Sequence, residues 1–418
     1  MICLVEALRY RCLRYVRQGV LPFHVLVWPN ASGKSTFLDV VRLLGDLLKL
    51  GLDSGIGVRS RNLSNLVWME QGTGFEVAVE LAIPEERRKR LPQNGYSHAR
   101  YEVAIGLGPA DELAILAETL WLKSGDAQVA VPQRLLFPAP VQPRDTIVLP
   151  ERKQSPSGWK KVVTKKPESG NDYFFSETTG WNNPFRLGPQ KLALANLPED
   201  EERFPVATWV KRSLMEGVYS LALNSEAMRR ASPPGRPAEF QPDGSNLPWA
   251  IERLQQSNPK RFEQWLAHIR TALPDVRTVE TIERPEDKHR YLRMVYATGL
   301  HAPSWMVSDG TLRLLALTLI AYLDTPGRVY LIEEPENGIH PQAVETVFQS
   351  LRSAYGSQIL CASHSPVILS QAEPQDILCF ARDAEGATDV VQGAEHPRLR
   401  EWQRGVDLGT LFATGVLG

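Results

Sequence analysis

Apolar and polar positions along the chain follow two periods. Residues 2–8 and 23–28 are short apolar runs of strand length, and the second leads through PNASGKST into FLDVVRLLGDLLKL, whose apolar residues recur at helical spacing. The predicted order is strand, loop, helix. Three segments with strand character follow, FEVAVELAI (75–83), ARYEVAIGL (99–107) and LAILAETLWL (113–122), separated by turn-rich or charged connections. An antiparallel patch is therefore expected after the helix. Between 126 and 190 the periodicity dissolves, and 9 of the 31 prolines fall there, which predicts a loop-rich insertion or lid.

Helical spacing returns over 205–229 and again at 261–273, where Phe262, Trp265, Leu266, Ile269 and Leu273 share one face. Residues 276–283 and 290–297 alternate around RPEDKH as a hairpin. After Ser308 the pattern is an apolar helix (312–323), a buried strand VYLI (329–332), a helix (341–354), a strand QILCAS (358–363) and a later strand ILCFA (377–381). The C-terminal third thus reads as parallel α/β and the middle as an insertion rich in helices.

Composition narrows the class. The 418 residues carry 43% hydrophobic and 23% charged side chains, with 47 Lys+Arg against 48 Asp+Glu, a net charge of −1. Bulk positive charge cannot be the basis of nucleic-acid binding, which leaves only a local patch. Four cysteines, at 3, 12, 361 and 379, have no metal-ligand spacing and fit a reduced, cytoplasmic protein. The longest apolar run, Leu312 to Leu323, is shorter than the ~20 residues that span a bilayer, and Glu6, Arg9, Arg11 and Arg14 stand where a signal core would lie. No membrane association is expected.

Two motifs carry chemistry. VWPNASGKST (27–36) has the Gly33, Lys34 and Ser35 of a phosphate-binding loop, with Trp28 at the position of its first glycine. Gly33 lets the backbone approach phosphate, Lys34 reaches the β- and γ-phosphates, Ser35 offers a hydroxyl to Mg²⁺, and the following helix directs its N–H groups at the anion. An indole at position 28 either strains the loop or fills part of it. VYLIEEPENGIHP (329–341) ends a buried strand in two acids, the way a central strand delivers carboxylates to the C-terminal edge of a sheet. Glu333 would serve Mg²⁺, and Glu334 would orient or deprotonate the attacking water. The alternative is a capped helix start in which Glu333, Glu334 and Glu336 only favour the helix N-terminus. SDGT (308–311) opens another helix as an anion site, and His364 in QILCASHSP follows a strand where it could touch a γ-phosphate. Taken alone, Ser308 is an ordinary N-cap and His364 a loop histidine. Their order and spacing, 24 residues from Gly310 to Glu334 and 30 from Glu334 to His364, tie them together.

With these residues in place the chain resembles an ABC-class ATPase of the SMC/RecF/OLD type, in particular the bacterial AAA family ATPases with AAA_21-like domains. SDGT, IEEPENGIHP and ASHSP resemble the signature, Walker B with D-loop, and switch-histidine motifs, and VEALRYRCLRYV resembles the opening strand. The resemblance implies an α/β P-loop NTPase head, a mixed sheet flanked by helices, with an antiparallel β subdomain and an inserted, mainly helical lobe. Residues 1–125 and 301–418 would form the two halves of the head and 126–300 the inserted lobe. It implies that Arg11, Pro29, Asn30, Ala31, Ser32, Gly33, Lys34, Ser35 and Thr36 bind ATP, that Ser35 and Glu333 hold Mg²⁺, and that Glu334, His364 and Lys34 are catalytic. Ser308, Asp309, Gly310 and Thr311 would contact the ATP of a second subunit, so a homodimer is implied. Glu333 stands where aspartate is usual. Gln71, in VWMEQGTGFEV, is the one candidate for the Q-loop glutamine and reads more readily as a turn residue before a strand.

Glu333 stands 299 positions after Lys34 with no heptad run between them, and only 54 residues follow His364, too few for an appended Toprim nuclease domain. The expected function is an ATP-driven switch in DNA repair or anti-phage defence, working with a separately encoded nuclease or other effector. The competing expectation, from Trp28, is a hydrolysis-deficient scaffold or DNA-binding module; a transporter subunit fits neither SDGT nor the long insertion. Segment 151–166, ERKQSPSGWKKVVTKK, is a basic stretch with Trp159 that could track DNA or be a solvated loop.

Overall fold

A computed structural model describes residues 1–27, 31–92, 95–125, 135–139, 141–148, 156–166, 172–235, 239–400 and 408–413. The chain divides into two compact units, one of Met1–Val218, Gly327–Val329 and Pro374–Trp402, the other of Tyr219–Pro326, Tyr330–Glu373 and Gln403–Gly418. The division at Val218 falls inside the 126–300 segment that the sequence suggests as one lobe.

In the first unit, strands β1 (Ile2–Tyr10) and β2 (Leu13–Gly19) form a hairpin, and β3 (Phe23–Val27) runs toward the phosphate-loop sequence. A helix, Lys34–Leu50, follows. Its buried stripe, Phe37, Leu38, Val41, Leu44 and Leu48, has the spacing read from the sequence. Strands β4 (Gly74–Ala82), β5 (Tyr96–Leu107), β6 (Leu113–Ser124), β7 (Trp159–Lys165), β8 (Tyr173–Phe175) and β9 (Asn182–Pro184) complete an eight-stranded sheet in the order β2-β1-β4-β5-β6-β7-β8-β9. The expected loop-rich insertion therefore contributes three strands to the antiparallel sheet. In Trp159–Lys165 (WKKVVTK), Val162 and Val163 are buried beside lysines whose long apolar stems pack against the sheet, a composition that reads as polar in sequence.

The sheet buries a network of ion pairs. The Arg100 guanidinium meets Glu6 at 2.8 Å, Glu102 at 2.8 Å and Glu80 at 3.2 Å, Lys123 reaches Glu80 at 2.6 Å, and Trp121 Nε1 donates to Glu102 at 2.6 Å. Arg100 also donates to the carbonyl of Ile147, part of a strap over residues 141–148. Ile147 and Val148 pack on Leu8, Ala78, Ala104 and Ala117, and their N–H groups donate to the buried Glu76. Removing one member of this network would leave an uncompensated charge at this depth.

A second buried carboxylate anchors the helix Pro205–Glu216. That helix begins with proline and has no side-chain cap of its own; Glu177 accepts from Val206 N and Ala207 N, each at 2.7 Å. Burial pushes the Glu177 carboxyl up to about 7, against the two N–H bonds that favour its charge. The helical reading of 205–229 is corrected here: the helix stops at Glu216, Val218–Leu221 is strand β10, and Ser225–Arg229 is a separate short helix.

In the second unit, β10 lies beside β14 (Val329–Glu333), which lies beside β15 (Gln358–Ser363). The predicted hairpin forms as β11 (Val276–Glu283) and β12 (Arg290–Tyr296), with β13 (His301–Pro303) added as a third strand. Helices Leu247–Ser257, Pro259–Ala272, Asp309–Leu319 and Pro341–Arg352 bury their apolar faces in this unit. The chain closes the first unit with β16 (Ile377–Arg382), parallel to β3, and β17 (Thr388–Gln392), antiparallel to β16, which makes the sheet mixed. No helix of the described residues is long and apolar enough to cross a membrane.

His24, on β3, is wholly buried; its Nδ1 lies 3.2 Å from the Asp376 carbonyl and its Nε2 has no partner. Burial lowers its pKa to about 4. Below pH 6.5 the unfolded chain takes up a proton that the folded chain refuses, so this histidine removes stability as pH falls toward 4, by roughly 3 kcal/mol at most. Urea titrations of wild type and His24→Gln between pH 7.5 and 4.5 are expected to show a shallower acid loss in the variant. Parallel curves would show that the imidazole is not held neutral.

Candidate nucleotide site

The phosphate-loop segment lies in the first unit. Ala31 and Gly33 have φ of 65° and 104°, and Gly33 caps the Lys34–Leu50 helix in the left-handed region. Successive backbone N–H groups in such a turn, at a helix start, form a concave anion cradle. Lys34 and Ser32 are buried, the Ser32 hydroxyl has no hydrogen-bond partner, and Ser35 is exposed on the first turn. A donor set of helix N–H groups, an orphaned buried hydroxyl and an exposed hydroxyl suits a phosphate chain with its cation. Pro29 and Asn30, with Trp28, lie outside the described residues.

Distant chain segments hold this loop in shape. Thr388 Oγ1 donates to Ser32 O at 2.9 Å, Thr388 N donates to Cys12 O at 3.1 Å, and Cys12 Sγ lies 3.4 Å from Thr36 Oγ1. A Cβ on Gly33 would meet Thr388 Oγ1 at 2.4 Å. Arg11, in the β1–β2 turn, lies 3.5 Å from Asp39, which is also gripped by Arg59 at 2.7 Å and by the Tyr10 hydroxyl. Arg11, Cys12 and Thr36 line a cavity of about 520 Å³ together with Asn65, Trp68 and Arg382. The structure thus brings Arg11 and Thr36 to one cavity.

The acidic segment lies in the second unit. Glu333 ends β14 and Glu334 follows it, both exposed. Glu334 has φ of 48°, a left-handed conformation that a non-glycine residue adopts at some cost. It is fixed by its N–H to Ala362 O at 2.8 Å, by Asn337 N to its own carbonyl at 3.0 Å, and by the Asn337 amide donating to its carboxylate. Glu336 accepts from Ser363 Oγ at 2.7 Å and from His364 N at 3.0 Å, so one carboxylate ties the turn after β14 to the histidine loop after β15. In the sequence Glu336 carries only the generic reading of an acid near a helix start, and nothing there shows that it ties these two loops together. Thr388 gave no sequence signal at all.

At the signature segment, Ser308 caps the Asp309–Leu319 helix by accepting from Thr311 N at 3.2 Å and pairs with the Thr311 hydroxyl at 2.9 Å. Asp309 pairs with Arg229 at 2.5 Å. A Cβ on Gly310 would lie 2.3 Å from Gly338 O, so only glycine lets this helix start pack against the turn that carries Glu336 and Asn337. Gln71 follows the short Trp68–Glu70 turn and precedes β4, the turn position expected for it.

The sequence of residues 142–370 matches the family described as AAA domain, putative AbiEii toxin, Type IV TA system (AAA_21). The chain belongs to this family. It is a P-loop NTPase family and implies nucleotide binding. No curated protein matches the sequence. Among solved structures the chain is similar to an SMC head bound to the C-winged helix domain of ScpA, with a TM-score of 0.52 at 13% identity over 93% of this chain and 97% of that one. A second, an Smc head domain with an extended coiled coil bound to the C-terminal domain of ScpA derived from Pyrococcus furiosus, has a TM-score of 0.49 at 14% identity over 93% and 95%. The first likeness shows the fold, an α/β head of the SMC type.

The basic stretch 151–166 does not behave as a solvated basic loop within its described part. Lys160 donates to the Glu177 carbonyl at 2.9 Å, and Lys165 is buried and donates to Gly188 O at 2.9 Å and to Lys191 O. Lys161 lies over the Trp121 ring and Lys123 over that of Trp159. Arg152 and Lys153 lie outside the described residues.

Proposed function

We propose that the chain is an ATP-binding and ATP-hydrolysing switch that dimerises on ATP, with the Ser308–Thr311 segment of each copy meeting the nucleotide of the other. In this reading residues 1–125 and 301–418 supply the two halves of the head and 126–300 the insertion. The observation that carries it is the joint bracing of Glu334 and His364 by one turn: Asn337 holds the first and Glu336 the loop of the second, at the ends of adjacent strands. Carboxylates that only favoured a helix start would need neither bond.

Lys34 and the N–H groups of the Ala31–Gly33 turn bind the phosphates, and Arg11 and Thr36 face the nucleoside from the cavity they share. Ser35 and Glu333 would hold Mg²⁺, which when bound neutralises charge on the β- and γ-phosphate oxygens. Glu334 takes a proton from water as its oxygen bonds to the γ-phosphorus; the bond to the bridging oxygen breaks and ADP leaves with that electron pair. His364 reports the γ-phosphate. The family description supports a setting in defence, and a separately encoded effector supplies any nuclease chemistry.

The dimer is tested by Ser308→Arg, a large cation at a helix N-terminus that disfavours positive charge. Sedimentation with a non-hydrolysable ATP analogue is expected to give dimers for wild type and monomers for the variant, with nucleotide binding within about twofold. A variant that still dimerises on the analogue would make the two-headed sandwich wrong.

A further inference from the structure

Once partners are assigned, a group of guanidinium side chains beside the β1–β2 turn stands apart from the cations spent on the sheet. Arg9, Arg14 and Arg144 line a cavity of about 630 Å³ with Trp68, Met69 and Pro143. It shares Trp68, Met69 and Glu385 with the cavity at Arg11 and Thr36, so the two are neighbours with common walls. Arg144 has no carboxylate at ion-pair distance among the described residues; its guanidinium lies 6.0 Å from the Tyr15 ring. Arg9 reaches Glu76 only at 3.9 Å and the Asp145 carbonyl at 3.4 Å, and its buried Nε has no hydrogen-bond partner. Glu76 is already occupied by the N–H groups of Ile147 and Val148. Arg14 pairs with Glu385, whose side chain is 64% exposed. An exposed pair of this kind is worth little, and a phosphate can take the place of the carboxylate. Asp145 is the other acid in the wall, so the cations are in excess.

The backbone points to the same place. Arg9, Arg11, Met69 and Glu70 have φ of 59°, 50°, 51° and 58°, four left-handed non-glycine residues in the walls of two adjoining cavities. Such conformations cost on the order of 1 kcal/mol each and cluster where side chains are held for a ligand.

We propose that the Arg9, Arg14 and Arg144 cavity is a second ligand site, for a phosphorylated nucleoside unit. Guanidinium groups bind phosphate in forked pairs. The Trp68 indole and the Met69 thioether, 58% exposed, give a flat base an apolar surface. The volume lies within the range of about 300–1,000 Å³ that small-molecule sites occupy. The unit is either a free mononucleotide or the 5′-terminal residue of a nucleic-acid strand. The site is next to the proposed ATP site and is not part of it.

The full chain is first saturated with a non-hydrolysable ATP analogue and Mg²⁺, then titrated calorimetrically with 5′-AMP, inorganic phosphate and single strands carrying or lacking a 5′-phosphate. Saturable binding of 5′-AMP, one per chain, is expected, weakened about tenfold or more by Arg144→Glu and by less in Arg144→Lys, which keeps the charge and loses the fork. Arg144 is exposed, so the fold is retained, and Lys260→Glu in the other unit is the neutral control. Tighter binding of the phosphorylated strand assigns the site to strand ends, and tighter binding of 5′-AMP to free nucleotide. Three results overturn the proposal: no binding with the analogue in place, equal affinity in Arg144→Glu, or inorganic phosphate binding as tightly as 5′-AMP. Failure of the analogue itself to bind instead sinks the reading of the first site.

Discussion

Replacing Glu334 by glutamine is expected to lower ATP turnover by about 10²–10⁴-fold while leaving nucleotide binding intact. The size follows from the role: a positioned carboxylate that accepts the water proton is lost, and the amide oxygen that replaces it is a far weaker base. The geometry makes the substitution clean. Glutamine has nearly the volume of glutamate, adopts φ of 48° with the same strain, and still offers an oxygen to the Asn337 amide. Phosphate release measured beside analogue binding separates the base from the binding residues. Because binding survives and hydrolysis does not, the variant should also accumulate as the ATP-bound dimer. Equal, background rates for wild type and variant would make the chain a nucleotide-gated scaffold, the outcome that Trp28 in the phosphate loop would explain.

Legibility in the sequence depended on whether a residue's role is local. The phosphate-loop helix and the β11–β12 hairpin have periodicities set by the face each buries, and β4 to β6 are runs rich in apolar residues, buried on both faces; both patterns are visible in the sequence alone. The Trp159–Lys165 strand reads as loop in the sequence because its lysines look solvated; the acceptors of Lys160 and Lys165, the carbonyls of Glu177, Gly188 and Lys191, come from later segments. The break at Gly217 was missed for a related reason. Helical spacing runs on past it, but Gly217 O accepts from Val329 N, a residue more than a hundred positions away. Among the candidate residues, Gly33, Lys34, Ser35, Glu333, Glu334 and His364 stand out in the sequence by type and spacing. Glu336 and Thr388 do not, since each acts by holding a loop that belongs to another part of the chain.

Gly33→Ala is expected to abolish nucleotide binding, with a loss of affinity of about a hundredfold or more, equivalent to roughly 3 kcal/mol. Two separate obstacles act at this residue. Its φ of 104° is reserved for glycine, and moving an alanine into left-handed space costs about 1–2 kcal/mol. The added methyl would also meet Thr388 Oγ1 at 2.4 Å, Thr388 Cγ2 at 3.0 Å and Cys12 Sγ at 3.1 Å, so the loop must move off β17 and the β1–β2 turn. Either shift tilts the N–H groups that cradle phosphate. The two obstacles can be told apart with Thr388→Ala, which removes both threonine atoms in the clash and leaves φ unchanged. Thr388→Ala alone loses the bond to Ser32 O and should weaken binding modestly. The double variant should recover part of the affinity lost in Gly33→Ala, giving a non-zero coupling in a double-mutant cycle of analogue binding. Additive losses would mean that the backbone conformation alone demands glycine. Wild-type affinity in Gly33→Ala would mean that nucleotide is not bound by the loop in this conformation.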